Sequence, residues 1–484
     1  MACFITILPQ KQIIEARNGD TLLSALRQAG KIPDAPCGGE GRCGKCRVIV
    51  GGAEALACQT IVDRDMTVTI PTADSHIILT EPIAACHISV TPSQGYLLAF
   101  DIGTTTVVGY LLEGPTRKIL ATAGAQNPQS PFGADVISRI RHALQGQMEP
   151  LTQSIRDCLA QLTLELCRGA NIAADDIGFV CAVGNPAMQQ LLLGIPVDNL
   201  AKVPFAPVLT EVKTIPARDI LPLWEKASFL IVPDIAGFVG ADTVACVLAC
   251  GQNIREEMTL VVDIGTNGEM TLGNRQKMVA CSAAAGPALE GAMIRFGMRG
   301  QTGAIDHVRL ENGQIRCSVI GGGTAVGICG SGLIDGVAVA LTLGLINERG
   351  KILTDDGLIH LTDGIFLTQD DIRQVQLAKG AIAAGIRLMA SQMDIPLSQI
   401  QQVFLAGAFG TYTDPKSACR IGLLPPELES KITAVGNAAG SGAILLASDQ
   451  NARQQAQRIA ADTQALELSA LPEFPRCFAE NMRF

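Results

Sequence analysis

The residues best suited to chemistry are four cysteines, Cys37, Cys43, Cys46 and Cys58. They lie in the run Pro36-Cys-Gly-Gly-Glu-Gly-Arg-Cys-Gly-Lys-Cys-Arg47 and in Leu56-Ala-Cys-Gln-Thr60. Four thiolates gathered by a glycine-rich loop can hold an iron–sulfur cluster, and the chemistry such a cluster brings is electron transfer. Gly38, Gly39, Gly41 and Gly44 let the backbone wrap closely and aim N–H groups at sulfur, which lowers the cost of placing a negative cluster in protein. Arg42, Lys45 and Arg47, set against Glu40, add positive charge beside it. The alternative is a structural zinc site, but zinc sites usually present two CxxC-like pairs, and here one pair is joined by two single cysteines.

A second chemistry comes from a motif that occurs twice. Leu97-Leu-Ala-Phe-Asp-Ile-Gly-Thr-Thr-Thr106 and Leu260-Val-Val-Asp-Ile-Gly-Thr-Asn-Gly268 are each an apolar strand, an aspartate, a Gly-Thr turn and the start of another strand. A buried strand delivers the carboxylate to its end, glycine admits backbone N–H groups to a phosphate, and threonine adds a hydroxyl donor. Asp101 and Asp263 would then face a magnesium ion directly or through its waters, with Gly103, Thr104, Thr105, Gly265, Thr266, Asn267 and Gly268 as turn contacts. One Asp-Gly-Thr turn is commonplace, but two in matching contexts indicate a duplicated phosphate site.

The elements that must position these residues fall into two blocks. Phe4 to Leu8 and Gln12 to Ala16 alternate like a hairpin, and Asp20 is placed to cap a helix over Thr21 to Ala29 ending at Gly30. The cysteine loop follows, and Val48 to Val50 and Met66 to Ile70 read as further strands. The first 72 residues resemble the β-grasp ferredoxin fold, and the cysteine spacing of five, two and eleven intervening residues is close to the plant-type pattern. Residues 73–95 carry Pro82, Pro92 and Cys86-His87 with little periodicity and read as a short linker, with no function assigned to the Cys-His pair. From residue 96 onward strands alternate with amphipathic helices, dividing into halves of about 96–258 and 259–484.

Composition narrows the partners. A net charge of -9 with no basic run argues against nucleic acid and anionic membranes. The most apolar stretch, Phe229 to Cys250, is broken by Pro233, Asp234 and Asp242, and no signal peptide is evident, so a cytoplasmic protein is expected. In that compartment the 16 cysteines read as ligands and reduced core thiols, with Cys246 and Cys250 among the latter.

The duplicated motif resembles the superfamily of actin, sugar kinases and seventy-kilodalton heat-shock chaperones, an α/β ribonuclease H-like fold in two halves that clamps ATP. Its further landmarks occur in order. Pro233-Asp-Ile-Ala-Gly-Phe-Val-Gly-Ala-Asp-Thr-Val-Ala245 looks like the first connecting helix, and Phe404-Leu-Ala-Gly-Ala-Phe-Gly410, with Gly407 and Gly410, like the adenosine loop. Ala434-Val-Gly-Asn-Ala-Ala-Gly-Ser-Gly-Ala443 looks like the second connecting helix. This resemblance implies that Asp234 positions a metal-bound water, and Glu269 and Glu290 are candidates for orienting the attacking water or for plain capping. Gly330-Ser331-Gly332 could contact nucleotide or target, or simply begin a helix.

The combination is narrower still. A ferredoxin-like domain ahead of this ATPase fold is joined by Asn127-Pro-Gln, Asp135-Val-Ile-Ser-Arg-Ile140, Ala284-Ala-Gly-Pro-Ala-Leu-Glu-Gly291, Ile328-Cys-Gly-Ser-Gly-Leu-Ile-Asp335 and Pro472-Glu-Phe. Together they resemble the reductive activators of corrinoid-dependent enzymes. That resemblance implies a two-iron two-sulfur (2Fe-2S) cluster, ATP and Mg2+ as cofactors, and one-electron reduction of a Co(II) corrinoid to Co(I). It also implies an external electron donor, a homodimer, and a partner that is either a methyltransferase's corrinoid subunit or a corrinoid iron–sulfur protein. Family members typically carry a longer linker and an extra middle domain, which this chain is expected to lack. Competing readings are an ATP-dependent electron donor to a dehydratase or aromatic-ring reductase, a small-molecule kinase with a redox domain attached, and a chaperone-like remodeller with a structural cluster.

Overall fold

Alternating inward residues begin the first block. The computed structural model describes residues 2–9, 11–29, 35, 39, 41, 44–70 and 95–484. Cys3, Ile5 and Ile7 are buried along β1 (Ala2–Leu8), which pairs antiparallel with β2 (Gln12–Arg17). Helix α1 (Leu22–Gln28) buries Leu22, Leu23 and Leu26. Its cap is Thr21, whose hydroxyl accepts from the Ser24 N–H at 3.2 Å, and not the expected Asp20. After the cysteine loop come β3 (Arg47–Val50), β4 (Ala53–Leu56) and β5 (Met66–Thr69), in sheet order β2-β1-β5-β3-β4. The parallel β1–β5 pair at the centre, with a helix crossing over it, is the β-grasp arrangement. Strand β4 was not expected, because Ala53-Glu-Ala-Leu56 has no β-branched residue and forms only against β3. The expected linker and its Cys86-His87 pair fall mostly on 71–94, outside the described residues.

The first lobe of the second block has β6 (Tyr96–Ile102), β7 (Thr106–Glu113), β8 (Ile119–Gln126), α2 (Val136–His142), α3 (Met148–Ala170), β9 (Ile177–Gly184), α4 (Pro186–Leu193), β10 (Lys213–Pro216), β11 (Ser228–Ile231) and α5 (Ala241–Cys250). Its sheet runs β10-β11-β9-β6-β7-β8.

The second lobe opens with β12 (Thr259–Ile264), β13 (Gly268–Gly273) and β14 (Met278–Ala283). A small sheet of β15 (Ala304–Glu311), β16 (Gln314–Val319) and β17 (Gly327–Ile328) precedes α6 (Gly330–Thr342) and the hairpin β18 (Ile359–Thr362) and β19 (Ile365–Leu367). Then follow α7 (Gln369–Gln392), β20 (Gln402–Ala406), α8 (Gly407–Tyr412), α9 (Pro415–Arg420), β21 (Ile432–Ala434), α10 (Ala438–Ser448), α11 (Gln450–Asp462), β22 (Thr463–Ala465) and α12 (Phe474–Asn481). The main sheet here is β21-β20-β12-β13-β14-β22.

The duplication is visible in the pairing. Strand β6 is antiparallel to β7 and parallel to β9, and β12 is antiparallel to β13 and parallel to β20. The motif repeated in sequence is therefore the first hairpin of two similarly wound halves of an actin-like fold. Helices α5 and α10 cross between them, and their core joins Val108 and Tyr110 of one lobe to Val261 and Phe404 of the other. The crossing is backbone to backbone: a Cβ on Gly442 would lie 2.1 Å from the Ala245 carbonyl oxygen. Both connecting helices begin later than expected, at Ala241 and Ala438. Pro233 to Val239 instead runs as an irregular segment with an Ala236–Val239 bridge.

Candidate nucleotide cleft and cluster site

Between the lobes lies a cavity of about 600 Å³. Each Gly-Thr turn occupies one wall, because β6 and β12 end there and hand the chain to the next strand of the hairpin. Asp101 and Asp263 enter from those strand ends. Each is held by the crossing helix that arrives from the other lobe. Asn437, the N-cap of α10, donates from its amide to Asp101 at 2.9 Å, and the Cys246 thiol of α5 donates to Asp263 at 3.4 Å. Cys246 is thus a core thiol with a polar contact, which its helical spacing did not reveal.

Two more carboxylates, Asp242 at the start of α5 and Glu269 on β13, line the same cavity. Burial pushes Asp101 and Asp242 up to about 7, with the Asp263 charge adding to both and hydrogen bonds opposing. Burial also raises Asp263, and burial with the Asp242 and Asp263 charges raises Glu269 well above the ordinary carboxylate range. These four half-buried carboxylates line one cavity, and each resists ionisation there, although among the described residues no three of them are grouped closely enough to enclose a metal ion by themselves. Carboxylate oxygen suits a hard divalent ion such as Mg2+, which takes one or two such ligands and completes its shell with water and phosphate.

The turns are themselves tied down. In the first, Asn127 donates to the Gly103 carbonyl at 2.8 Å and Asn185 to the Thr104 hydroxyl at 3.2 Å. The fully buried Arg139 donates to the carbonyls of Thr104 at 2.5 Å and Gly133 at 3.1 Å and to the Gln129 side chain at 3.2 Å. Burial lowers its pKa to about 9. Among the described residues no carboxylate forms a close ion pair with it, and the charges of Asp135 and Glu290 only partly offset the effect of burial. Across the cleft, Glu290 accepts from Thr105 at 2.7 Å and from Thr266 at 2.9 Å, so one carboxylate holds a hydroxyl from each turn.

The structure sorts the expected residues. Asp101, Gly103, Thr104, Thr105, Asp263, Gly265, Thr266, Asn267, Glu269, Glu290, Gly330, Ser331 and Gly407 line the cavity. Asp234 does not; it is buried in the irregular segment before α5 and accepts from Gln189 at 2.7 Å, and Asp242 takes the helix-start place expected for it. Gly268, Gly332 and Gly410 lie behind the wall, where a Cβ would press within 3 Å of Ile382, Ile305 and Leu405 respectively. Gly407 has φ +83° and passes so close to Asp263 that a Cβ would lie 2.6 Å from its carboxylate. Asp242, Arg139 and Asn437 were within motifs already singled out, but sequence alone did not tell which residue of each motif faced the cleft.

At the cluster site Cys46 and Cys58 are described, and Cys37 and Cys43 lie outside the described residues. The Cys46 and Cys58 sulfurs are 3.2 Å apart, the Cys46 thiol donating to Cys58 with no disulfide between them, and are buried against the ferredoxin core. The Cys58 N–H points at the Cys46 sulfur at 3.5 Å. Two thiols converging on one point, with a backbone donor toward sulfur, fit two ligands of an iron–sulfur cluster.

Comparison with known proteins agrees with this geometry. A family model described as the 2Fe-2S iron-sulfur cluster binding domain matches residues 5–66, one described as the RACo middle region matches 96–254, and one described as the C-terminal domain of RACo, the ASKHA domain, matches 257–484. The middle region is therefore present as the first lobe, which corrects the expectation that the chain lacks it. The corrinoid activation enzyme RamQ of Eubacterium limosum is 37% identical over 80% of this chain and 70% of its own length. The [Co(II) methylated amine-specific corrinoid protein] reductase of Methanosarcina barkeri is 29% identical over 71% of this chain and 68% of its own. A solved structure titled reductive activator for corrinoid, iron-sulfur protein superposes with a TM-score of 0.73 at 28% identity, covering 100% of this chain and 98% of that one. With a ferredoxin fold, an actin-like fold and these relatives together, the chain belongs to the RACo family of reductive activators of corrinoid-dependent enzymes.

Proposed function

We propose that this protein is an ATP-hydrolysing corrinoid reductase that returns a Co(II) corrinoid protein to Co(I) by one-electron transfer. The observation that carries the reading is a cavity walled by two facing Gly-Thr turns and lined by Asp101, Asp242, Asp263 and Glu269, in a chain that also brings Cys46 and Cys58 together in a ferredoxin fold. The working division is a ferredoxin domain over 1–72, a linker over 73–95 and an ATPase domain over 96–484 with halves of about 96–258 and 259–484.

A 2Fe-2S cluster on Cys37, Cys43, Cys46 and Cys58 would supply the one-electron carrier. The protein's own residues do the rest. Asp101 and Asp263 at the strand ends would hold Mg2+ directly or through its waters, and the ion would offset the charge of the ATP phosphates. The N–H groups of the 103–105 and 265–267 turns and the hydroxyls of Thr105 and Thr266 bind phosphate, with Arg139 supplying positive charge from behind. Once phosphate takes those hydroxyls, Glu290 is left to orient the attacking water. Gly330, Ser331, Phe409 and Tyr412 also line the cavity, and Gly407 borders it beside Asp263.

Plant-type clusters sit near about -400 mV, and an acceptor ~200 mV lower makes the transfer uphill by roughly 4.6 kcal/mol. ATP assists only if its binding or hydrolysis favours one state of the complex, and two lobes hinged at crossed helices supply such a two-state element. An external reductant recharges the cluster. The protein acts as a cytoplasmic homodimer; among the described residues no helix is long and apolar enough to cross a membrane.

The test is to mix the reduced holoprotein, ATP and a Co(II) corrinoid protein anaerobically and follow the Co(I) absorption. ATP-dependent Co(I) formation is expected. Co(I) formed equally without ATP, or by a chain lacking residues 1–72, would overturn the reading.

A further inference from the structure

Lys45 lies between Gly44 and Cys46 in the cysteine loop, yet its amine reaches the second lobe. It donates to the carbonyl oxygens of Ile294 at 3.2 Å and Gly297 at 2.5 Å. Those acceptors belong to a tight loop that starts directly after Glu290. Gly291 and Gly297 pack so closely that a Cβ on Gly297 would lie 2.0 Å from the Gly291 carbonyl oxygen. The Ala292 N–H bonds back to Pro287 and the Met298 N–H to Ile328, while Met298 and Arg299 line the cleft. Glu290 and the acceptors of Lys45 therefore lie on one short continuous segment, which is tied to β17 at Phe296 and Met298 and to Asp371 at Arg295.

The first lobe is also within reach of the ferredoxin domain. Arg27, in the last turn of α1, is near enough to His142, at the end of α2, that its charge adds to burial in lowering the histidine pKa. Helix α2 carries Arg139, which holds the first turn at Thr104. The ferredoxin domain thus touches the second lobe through Lys45 and comes within electrostatic range of the first.

Glu290 takes its two hydrogen bonds from Thr105 and Thr266, the hydroxyls that a phosphate between the turns would use. Phosphate oxygens compete for both donors and repel the Glu290 carboxylate. The 291–298 segment is the path by which displacement of Glu290 would reach the carbonyls that hold Lys45.

We propose that the seat of Lys45 on the Ile294 and Gly297 carbonyls is a nucleotide-controlled latch, holding the ferredoxin domain on the second lobe until a nucleoside triphosphate binds and then releasing it toward a partner. The latch rests on the reading of the cleft as a phosphate site and goes beyond it, because it assigns the order of events: triphosphate binding precedes ferredoxin release. In the latched state Lys45 is half-buried, and release exposes its amine.

Brief acylation of the holoprotein with an amine-reactive ester, read by peptide mass spectrometry, tests this without any corrinoid protein. Lys11, exposed on the β1–β2 turn, is the internal control. With magnesium and a non-hydrolysable ATP analogue, Lys45 labelling is expected to rise at least about fivefold, the lower end of an ordinary coupling factor, with Lys11 unchanged. Calorimetry on the same sample reports whether the analogue binds. Bound analogue with unchanged Lys45 labelling overturns the latch alone; no binding overturns the cleft reading and the latch with it. In solution scattering, nucleotide-free Lys45→Met isolated with its iron should already match the analogue-bound wild type. If it keeps the nucleotide-free wild-type profile, the latch is refuted.

Discussion

Replacing Asp101 by asparagine should make the nucleotide-free protein more stable while removing most of its ATP hydrolysis. Burial raises the Asp101 pKa from 3.8 to about 7, the Asn437 amide opposes that rise, and the Asp263 and Asp242 charges add to it. The sign follows from proton binding. Between these values the folded state holds a proton that the unfolded state has lost, so stability falls as pH rises from about 4 to about 7. A shift of about three units at 1.36 kcal/mol each caps the penalty near ~4 kcal/mol, and water in the open cleft reduces it to ~1–3 kcal/mol. Asparagine never ionises, is nearly isosteric, and keeps an oxygen to accept from Asn437. The gain should therefore be ~1–3 kcal/mol at about pH 8 and less than half that at about pH 5. The single tryptophan is a convenient reporter: Trp224 is buried in the same lobe, with its ring 6.2 Å from that of Phe100, the neighbour of Asp101. Urea unfolding followed by Trp224 fluorescence at the two pH values, with and without magnesium and ATP, gives the comparison. If Asp101→Asn is less stable than wild type at about pH 8 without nucleotide, the carboxylate cluster is not under the strain described here. If it hydrolyses ATP at the wild-type rate, the metal site is misassigned.

Three further substitutions probe separate parts. Arg139→Met leaves the carbonyls of Thr104 and Gly133 without their buried donor, so a loss of ~2–4 kcal/mol in the first lobe and a raised KM for ATP are expected, measured by urea unfolding and steady-state kinetics. Gly442→Val places a side chain where a Cβ alone would lie 2.1 Å from the Ala245 carbonyl; it should force α5 and α10 apart, costing ~3 kcal/mol or more and abolishing ATPase, and a wild-type melting curve would contradict the close crossing. Cys46→Ser should abolish the cluster while leaving basal ATP hydrolysis, so iron and acid-labile sulfide per chain should drop from two each to near zero. Iron retained at wild-type levels would remove Cys46 from the ligand set.

The two chemistries were legible in the chain because each is written locally. A cysteine loop needs its glycines and thiols within a few residues of one another, and an Asp-Gly-Thr turn carries its strand, carboxylate and donors in one short run. The duplication was legible for the same reason, since β6–β7 and β12–β13 are hairpins with short connections. Helix starts were less secure. Thr21 caps α1 in place of Asp20 because the Thr21 hydroxyl is the group that reaches the Ser24 N–H, a difference of one residue that composition cannot decide.

Tertiary structure decided what depends on two distant segments meeting. Asp242 and not Asp234 faces the cleft, because Pro233 to Val239 bends before α5 begins and turns Asp234 toward Gln189. Asn437 reaches Asp101 from 336 positions away, and Cys246 reaches Asp263 only because α5 and α10 cross at backbone contact, with Gly442 of α10 against Ala245 of α5. The joining of both threonine hydroxyls on Glu290 and the seating of Lys45 on Ile294 and Gly297 belong to the same class. The physical reason is common to all of them: a residue's type and immediate neighbours determine what it can bond, but long-range packing brings its partner within hydrogen-bonding distance.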